Sequence, residues 1–207
     1  GVYSILLGTN TNYNNTGGSN VIAIGFEAGG HSSAGQTNAI LIGKQAGDAG
    51  AGPTNSVVIG TAAFGSATGH AQYITVVGQD AMKGSASTTT GINGSVAIGH
   101  QSLYSITTGL NITIGYQSGY STTSGTQNTA SGTYSMLDNT TGSYNTSFGT
   151  NSLANNTTAS YNTAIGMQGL NSNTTGARNT TSGAYSLKKN TTGDVNTASG
   201  FKSLCAT

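Results

Sequence analysis

Charge is nearly missing from this chain. Lys and Arg number 6 and Asp and Glu 5 among 207 residues, so charged groups make up 5% where an ordinary globular domain carries about a quarter. Trp is absent, and Pro and Cys each occur once. Each scarcity excludes something. The cations Lys44, Lys83, Arg178, Lys188, Lys189 and Lys202 are scattered, with only Lys188 and Lys189 adjacent; they form no patch for phosphates, so nucleic acid is not an expected partner. Cys205 alone makes neither an intrachain disulfide nor a zinc site and reads as an incidental thiol. No run of about 18 apolar residues is present, so no membrane insertion is expected, and no basic stretch leads into an apolar one as in a signal peptide. Low hydrophobicity with a large net charge would mean disorder, but the net charge is +1.

Catalytic patterns are also absent. Glu27, Asp48, Asp80, Asp138 and Asp194 occupy unlike places in the chain and suggest no carboxylate pair. His31, His70 and His100 lack metal-ligand spacing and read as solvated turn or outer-strand residues. There is no nucleophile elbow. The glycine-rich phrases join strand to strand rather than opening a helix, so they are not phosphate loops. The Asn-Thr-Thr sequons at Asn139 and Asn173 would matter only in a eukaryotic secretory setting. No catalytic, metal-binding, cofactor-binding or receptor-binding residue is assigned, and an enzyme is not expected.

What the chain has is repetition. Gly8, Gly25, Gly43, Gly60, Gly78, Gly99, Gly115, Gly132, Gly149, Gly166, Gly183 and Gly200 anchor twelve similar phrases, at intervals of 17, 18, 17, 18, 21, 16 and then 17 five times. Fixed periodicity of this length marks a solenoid. The long interval holds "GSASTTTG", Gly84 to Gly91, read as a loop insertion. Columns are numbered from the anchor glycine. Column −3 is Ile5, Ile22, Ile40, Val57, Thr75, Val96, Ile112 and then Thr129, Thr146, Thr163, Thr180 and Thr197, every one β-branched. Column −1 is mostly Ile, Val, Leu or Ser. The column between them (Leu6, Ala23, Leu41, Val58, Val76, Ala97 and onward) is small or apolar. This predicts a strand with neither face polar, buried on both sides. After the glycine, column +2 is mostly polar and column +4 mostly Leu, Met or Phe, which predicts a second strand with one wet side. Phrases ending in "NTTG" predict a wide turn.

Stacked at about 4.8 Å per coil, twelve two-strand coils would extend roughly 55 Å. Ladders of Thr (129 to 197) and Asn (128 to 196) would link neighbouring coils. Columns −3 and −1 are expected to pack inward on the Leu of the second strand. The between column, including Leu41, Val58 and Val76, would then line the axis of a homo-oligomer and be shielded by sister chains. Tyr116, Tyr134, Tyr144, Tyr161 and Tyr185 fall on outer-strand or turn positions. They could stack on sugars, but cross-coil aromatic packing is the preferred reading.

"NSVVIG" (Asn55 to Gly60), "GSVAIGHQSL" (Gly94 to Leu103) and "NTAIGMQGL" (Asn162 to Leu170) resemble the N-S-V-A-I-G phrase of YadA-like heads in trimeric autotransporter adhesins, and the "NTAxGxxSLxxNTTG" form resembles repeats of trimeric bacteriophage tail fibres. The resemblance covers nearly the whole chain. It implies a left-handed parallel β-roll, three chains per rod, and work at a surface. The expected fold is therefore an all-β parallel β-solenoid of about twelve 17-residue coils, residues 1–207 forming one β-roll repeat domain of a longer fibre. The expected function is a structural segment of a phage tail fibre or receptor-binding protein, in the virion or at the bacterial surface. Its partners would be two sister chains, other fibre or virion proteins, and a host cell-surface glycan or protein. The alternatives are an adhesin head and an ice-binding solenoid using the Thr ladder. A hexapeptide-repeat acyltransferase would need an aliphatic residue every six positions, whereas Ile-Gly comes once per 17.

Overall fold

The computed structural model describes residues 3–31, 35–50, 52–66, 71–84 and 92–205. They fall into two compact units, Gly1–Leu110 and Asn111–Thr207. Apart from Gly84, the expected loop insertion lies outside the described residues. The first unit contains β1 (Ile5–Leu7), β2 (Val21–Ile24), β3 (Thr37–Ile42), β4 (Thr54–Ile59), β5 (Thr75–Val77) and β6 (Val96–Ile98). The second contains β7 (Ile112–Ile114), β8 (Thr129–Ser131), β9 (Thr146–Phe148), β10 (Thr163–Ile165), β11 (Thr180–Ser182) and β12 (Thr197–Ser199). Within each unit every strand pairs in parallel with the next. The register is that of the sequence columns: Ile5 opposite Ile22, Ile22 opposite Ile40 and Ile40 opposite Val57 in the first unit, and Thr129 opposite Thr146, Thr146 opposite Thr163 and Thr163 opposite Thr180 in the second. Each unit is a parallel β-solenoid.

The glycine column sets how closely coils approach. Gly60 has φ +134°, and a Cβ there would lie 2.5 Å from the carbonyl oxygen of Gly78 in the next coil. That backbone conformation and that gap both require glycine. The carbonyl then accepts the N–H of column +3, as in Ser152 N–H to Gly149 O (3.3 Å), which closes a turn.

Here the structure departs from the two-strand coil. The segment after each anchor is not a strand but consecutive turns. Among the described residues, 32 non-glycine positions have positive φ, and all lie in columns −5, +2 and +4. A strand needs extended residues throughout, whereas Asn151 (φ 55°) and Leu153 (φ 49°) are left-handed. The turns still carry ladder-like bonds between coils. Asn151 donates its N–H back to Thr133 O (3.0 Å), and Leu153 donates forward to Gly169 O (3.0 Å). Left-handed conformations at non-glycine residues cost about 1 kcal/mol or more each, and these paired backbone groups offset that cost.

The faces of the strand are also the reverse of expectation. Ala23, Leu41, Val58, Val76 and Ala97 are fully buried within the single chain. They pack on the column +4 side chains Phe64, Met82 and Leu103 in the first unit, and Ala130 and Ala164 share a core with Met136, Leu153 and Leu170 in the second. Columns −3 and −1 point outward and are half-buried or exposed. Leu41, Val58 and Val76 are therefore shielded by their own coils and do not line an inter-chain axis. The reason is volume. Columns −2 and +4 share one limited space between strand and turns, so the bulkiest −2 side chain meets the smallest +4 residues. Where −2 is Leu41, the neighbouring +4 residues are Gly29 and Gly47, and a Cβ on either would meet a Leu41 methyl within 2.8 Å.

Candidate interaction surfaces

Several of the sparse charged groups, Asp48, Glu27 and Asp194 among them, link neighbouring coils. The His31 Nδ1 lies 2.7 Å from Asp48 Oδ1, the His31 main-chain N–H donates to the same oxygen, and Tyr13 meets the imidazole edge-on at 5.7 Å. Gln45 donates to Glu27 (3.0 Å), and Ala177 N–H donates to Asp194 (2.6 Å). Lys83 Nζ lies 2.9 Å from Asp80 Oδ1. That hydrogen bond holds the Lys83 amine above its ordinary pKa, and partial burial opposes the shift. Asp138 is exposed, Cys205 is a half-buried free thiol, and His70 lies outside the described residues. Among the described residues no three His, Cys, Asp or Glu side chains gather where a metal ion could sit, and no helix is long and apolar enough to cross a membrane.

The larger surface is the outward face of the strands. In the first unit columns −3 and −1 carry Ile5, Ile22, Ile40, Val57 and Val96 beside Leu7, Ile24, Ile42, Ile59, Val77 and Ile98. Eleven aliphatic side chains on one half-exposed face exceed the scattered apolar exposure normal for a surface. In the second unit the same columns begin with Ile112 and Ile114 and then turn polar, with Thr129, Thr146, Thr163, Thr180 and Thr197 beside Ser131, Phe148, Ile165, Ser182 and Ser199. The expected Thr ladder thus faces outward rather than inward. The threonines that link coils belong to another column, +8, where Thr140 Oγ1 donates to Thr157 O (2.9 Å) and Thr157 Oγ1 to Thr174 O (3.1 Å).

The five tyrosines singled out from the sequence pack across coils. Tyr144 and Tyr161 stack in parallel at 4.9 Å. Tyr116 meets Tyr134 edge-on at 5.3 Å, as Tyr185 does Phe201 at 5.8 Å. Arg178 lies over Tyr161 and Lys188 over Tyr185, adding cation–π attraction.

One feature escaped sequence reading. Column −5 is left-handed in all twelve coils, with Gly94 the single glycine, and in the first unit it forms an exposed amide ladder. Asn20 Nδ2 donates to Asn38 Oδ1 (3.0 Å), and Asn38 Nδ2 to Asn55 Oδ1 (2.9 Å). The next rung is Tyr73, at the edge of a groove of about 480 Å³. The recurrence of Asn at 20, 38 and 55, five residues before each anchor, was the available signal. No protein-family model, curated protein or solved structure matches the chain.

Proposed function

We propose that the chain is a structural segment of a homotrimeric fibre, and that it serves attachment to a host surface as part of a bacteriophage tail fibre. The single observation that carries this reading is the aliphatic outward face of the first unit. Covering the column −1 side chains Leu7, Ile24, Ile42, Ile59, Val77 and Ile98 releases about 1 kcal/mol each, so these six supply roughly 6 kcal/mol per chain and leave Ile40 and Val57 outside the contact. That is comparable to the entropic cost of association. Identical columns in parallel register favour closure by copies of the same face around a rotation axis. The role is structural, without catalysis. Sedimentation analysis of the full chain tests the assembly: a trimer is expected, and a monomer at micromolar concentration rejects it. Labelling virus particles with an antibody to the chain tests the setting. Failure to label, together with a downstream coiled coil and outer-membrane anchor in the gene, would favour an adhesin head instead.

A second reading has its own observation. The hydroxyls of Thr129, Thr146, Thr163, Thr180 and Thr197 form a regular outward column without protein partners among the described residues, an array that favours an ice-binding surface. Thermal hysteresis by the isolated chain, abolished by Thr163→Lys, would support it. Absence of hysteresis removes it.

A further inference from the structure

We infer that the groove beside Tyr73 binds a neutral pyranose unit of a surface glycan. This deepens the attachment reading and rests on it only for the source of the glycan.

The site begins with an interrupted ladder. Each amide in Asn20–Asn38–Asn55 passes its donor to the next oxygen. At Asn55 the sequence replaces the next Asn with Tyr73, so the Asn55 Nδ2 has no further rung. Amide donors of this kind satisfy a ligand hydroxyl well. Tyr73 is held left-handed (φ 59°), its N–H fixed to Thr54 O (3.2 Å), and it is 64% exposed. Its ring makes no aromatic contact and its hydroxyl no hydrogen bond among the described residues. Tyr13, Tyr116, Tyr134, Tyr144, Tyr161 and Tyr185 all have ring partners. Tyr73 is thus an open aromatic face lining a cavity.

The remaining walls decide the ligand class. Ile40 and Val57 supply an apolar floor, Asn38 and Thr75 flank it, and no charged side chain lines the groove. At about 480 Å³ the space falls in the range of small-ligand sites. An aromatic face beside an amide donor over an aliphatic floor matches the two sides of a pyranose, one built of C–H groups and one of hydroxyls. An anionic sugar would lose hydration here without gaining a countercharge. A single open site binds weakly, and several copies in one fibre raise the apparent affinity through effective concentration.

The test uses the full chain and a panel of neutral probes, cellohexaose, maltohexaose and chitohexaose, with oligogalacturonate as the anionic control. Saturation-transfer NMR should show contact with at least one neutral probe and none with oligogalacturonate. Tyr73→Ala and Asn55→Asp should each weaken that binding tenfold or more, while Tyr144→Ala leaves it unchanged. Oligomeric state and melting temperature are measured on every variant. No neutral binding at millimolar probe, preference for oligogalacturonate, or full retention in Tyr73→Ala overturns the inference. So does a change of oligomeric state in Tyr73→Ala, which would mean that a second copy fills the groove. A wild-type chain that is monomeric or absent from virions, yet binds neutral probes through Tyr73, would reject the fibre reading and keep the site.

Discussion

The two units share one backbone plan and fill it differently. Four residues before the anchor, the first unit places Ser4, Val21, Ala39, Ser56, Ile74 and Ser95, and the second places Asn six times, at 111, 128, 145, 162, 179 and 196. In the second unit each Asn oxygen accepts the main-chain N–H of the next. The bonds from Asn145 to Asn128, Asn162 to Asn145 and Asn179 to Asn162 all measure 2.9 Å. A second buried file, Asn139, Asn156, Asn173 and Asn190, passes amide donors back at 2.8 to 3.0 Å. Among its described residues the first unit has isolated links in this column, Val21 N–H to Ser4 Oγ (3.3 Å) and Ile74 N–H to Ser56 Oγ (3.2 Å), and it has a larger apolar core, with Leu41, Phe64, Ile74, Met82, Ile92, Leu103 and Ile106. The difference follows the spacing. Hydrogen bonds are directional, and the long buried Asn files lie where the interval stays at 17. Apolar contact is non-directional and tolerates intervals of 17 to 21. The polar core goes together with strict periodicity.

The largest effect should appear where the units agree. Gly60→Ala in the first unit and Gly132→Ala in the second each force a Cβ to within 2.6 Å of the next coil's glycine carbonyl oxygen, at φ +134° and +137°. Both should lose at least about 3 kcal/mol in urea unfolding. Gly200→Ala, with nothing within 4 Å, should lose only about 1 kcal/mol of backbone strain. Equal damage at Gly60 and Gly132 confirms a common scaffold; a tolerated Gly60→Ala would mean the first unit closes its coils another way.

Exchanging core residues comes next. Asn162→Val removes the acceptor for Asn179 N–H and one of two donors to Gly176 O, which keeps its bond from Asn173 Nδ2 (2.8 Å); the one buried N–H left unpaired costs about 1 to 3 kcal/mol. Ile74→Asn places an amide in the first unit with no neighbouring amide in its column, at about 2 to 4 kcal/mol. If either swap costs less than about 1 kcal/mol by denaturant titration, the two fillings are interchangeable and the comparison fails.

Much of this was legible beforehand, and the rest was hidden for physical reasons. Period and register were readable because identical columns pair in parallel, so aligning phrases on Gly8, Gly25 and Gly43 already aligns strands. Which face points inward was not. Both faces of β2 to β6 are apolar, and alternation cannot separate them. The deciding clue was complementary volume, Leu41 opposite Gly29 and Gly47. The second strand was misread for a related reason. Left-handed geometry at Leu153 or Met136 has no signature in those residues, and only the copies with Gly29, Gly47 and Gly119 at column +4 betray it. The outward Thr column follows once parity is corrected. The groove depends on where an amide ladder stops, at Tyr73, a fact about neighbouring coils that no single phrase contains.

A smaller change probes the polar links of the second unit. Thr140→Val removes one side-chain bond to Thr157 O and keeps the shape, so a loss of about 1 kcal/mol or less is expected. Repeating it at Thr123, Thr157 and Thr174 should give similar values, because their bonds measure 2.9 to 3.1 Å. A gradient along the column would show that strict period does not mean uniform stability.

The smallest effect belongs to charge, which in the first unit includes the Lys83–Asp80 pair at 2.9 Å. The hydrogen bond to Asp80 raises the folded-state pKa of Lys83, so folding favours the protonated amine. The contribution is whole below the unfolded value of about 10.4 and fades as pH rises through the higher folded value. The side chain is about a third exposed, and solvent screening leaves at most about 0.5 kcal/mol. Urea midpoints of wild type and Asp80→Asn should therefore differ slightly at pH 8 and converge as the pH rises through the raised folded value. A gap that widens with alkalinity would reverse the sign and detach Lys83 from the stability of the first unit.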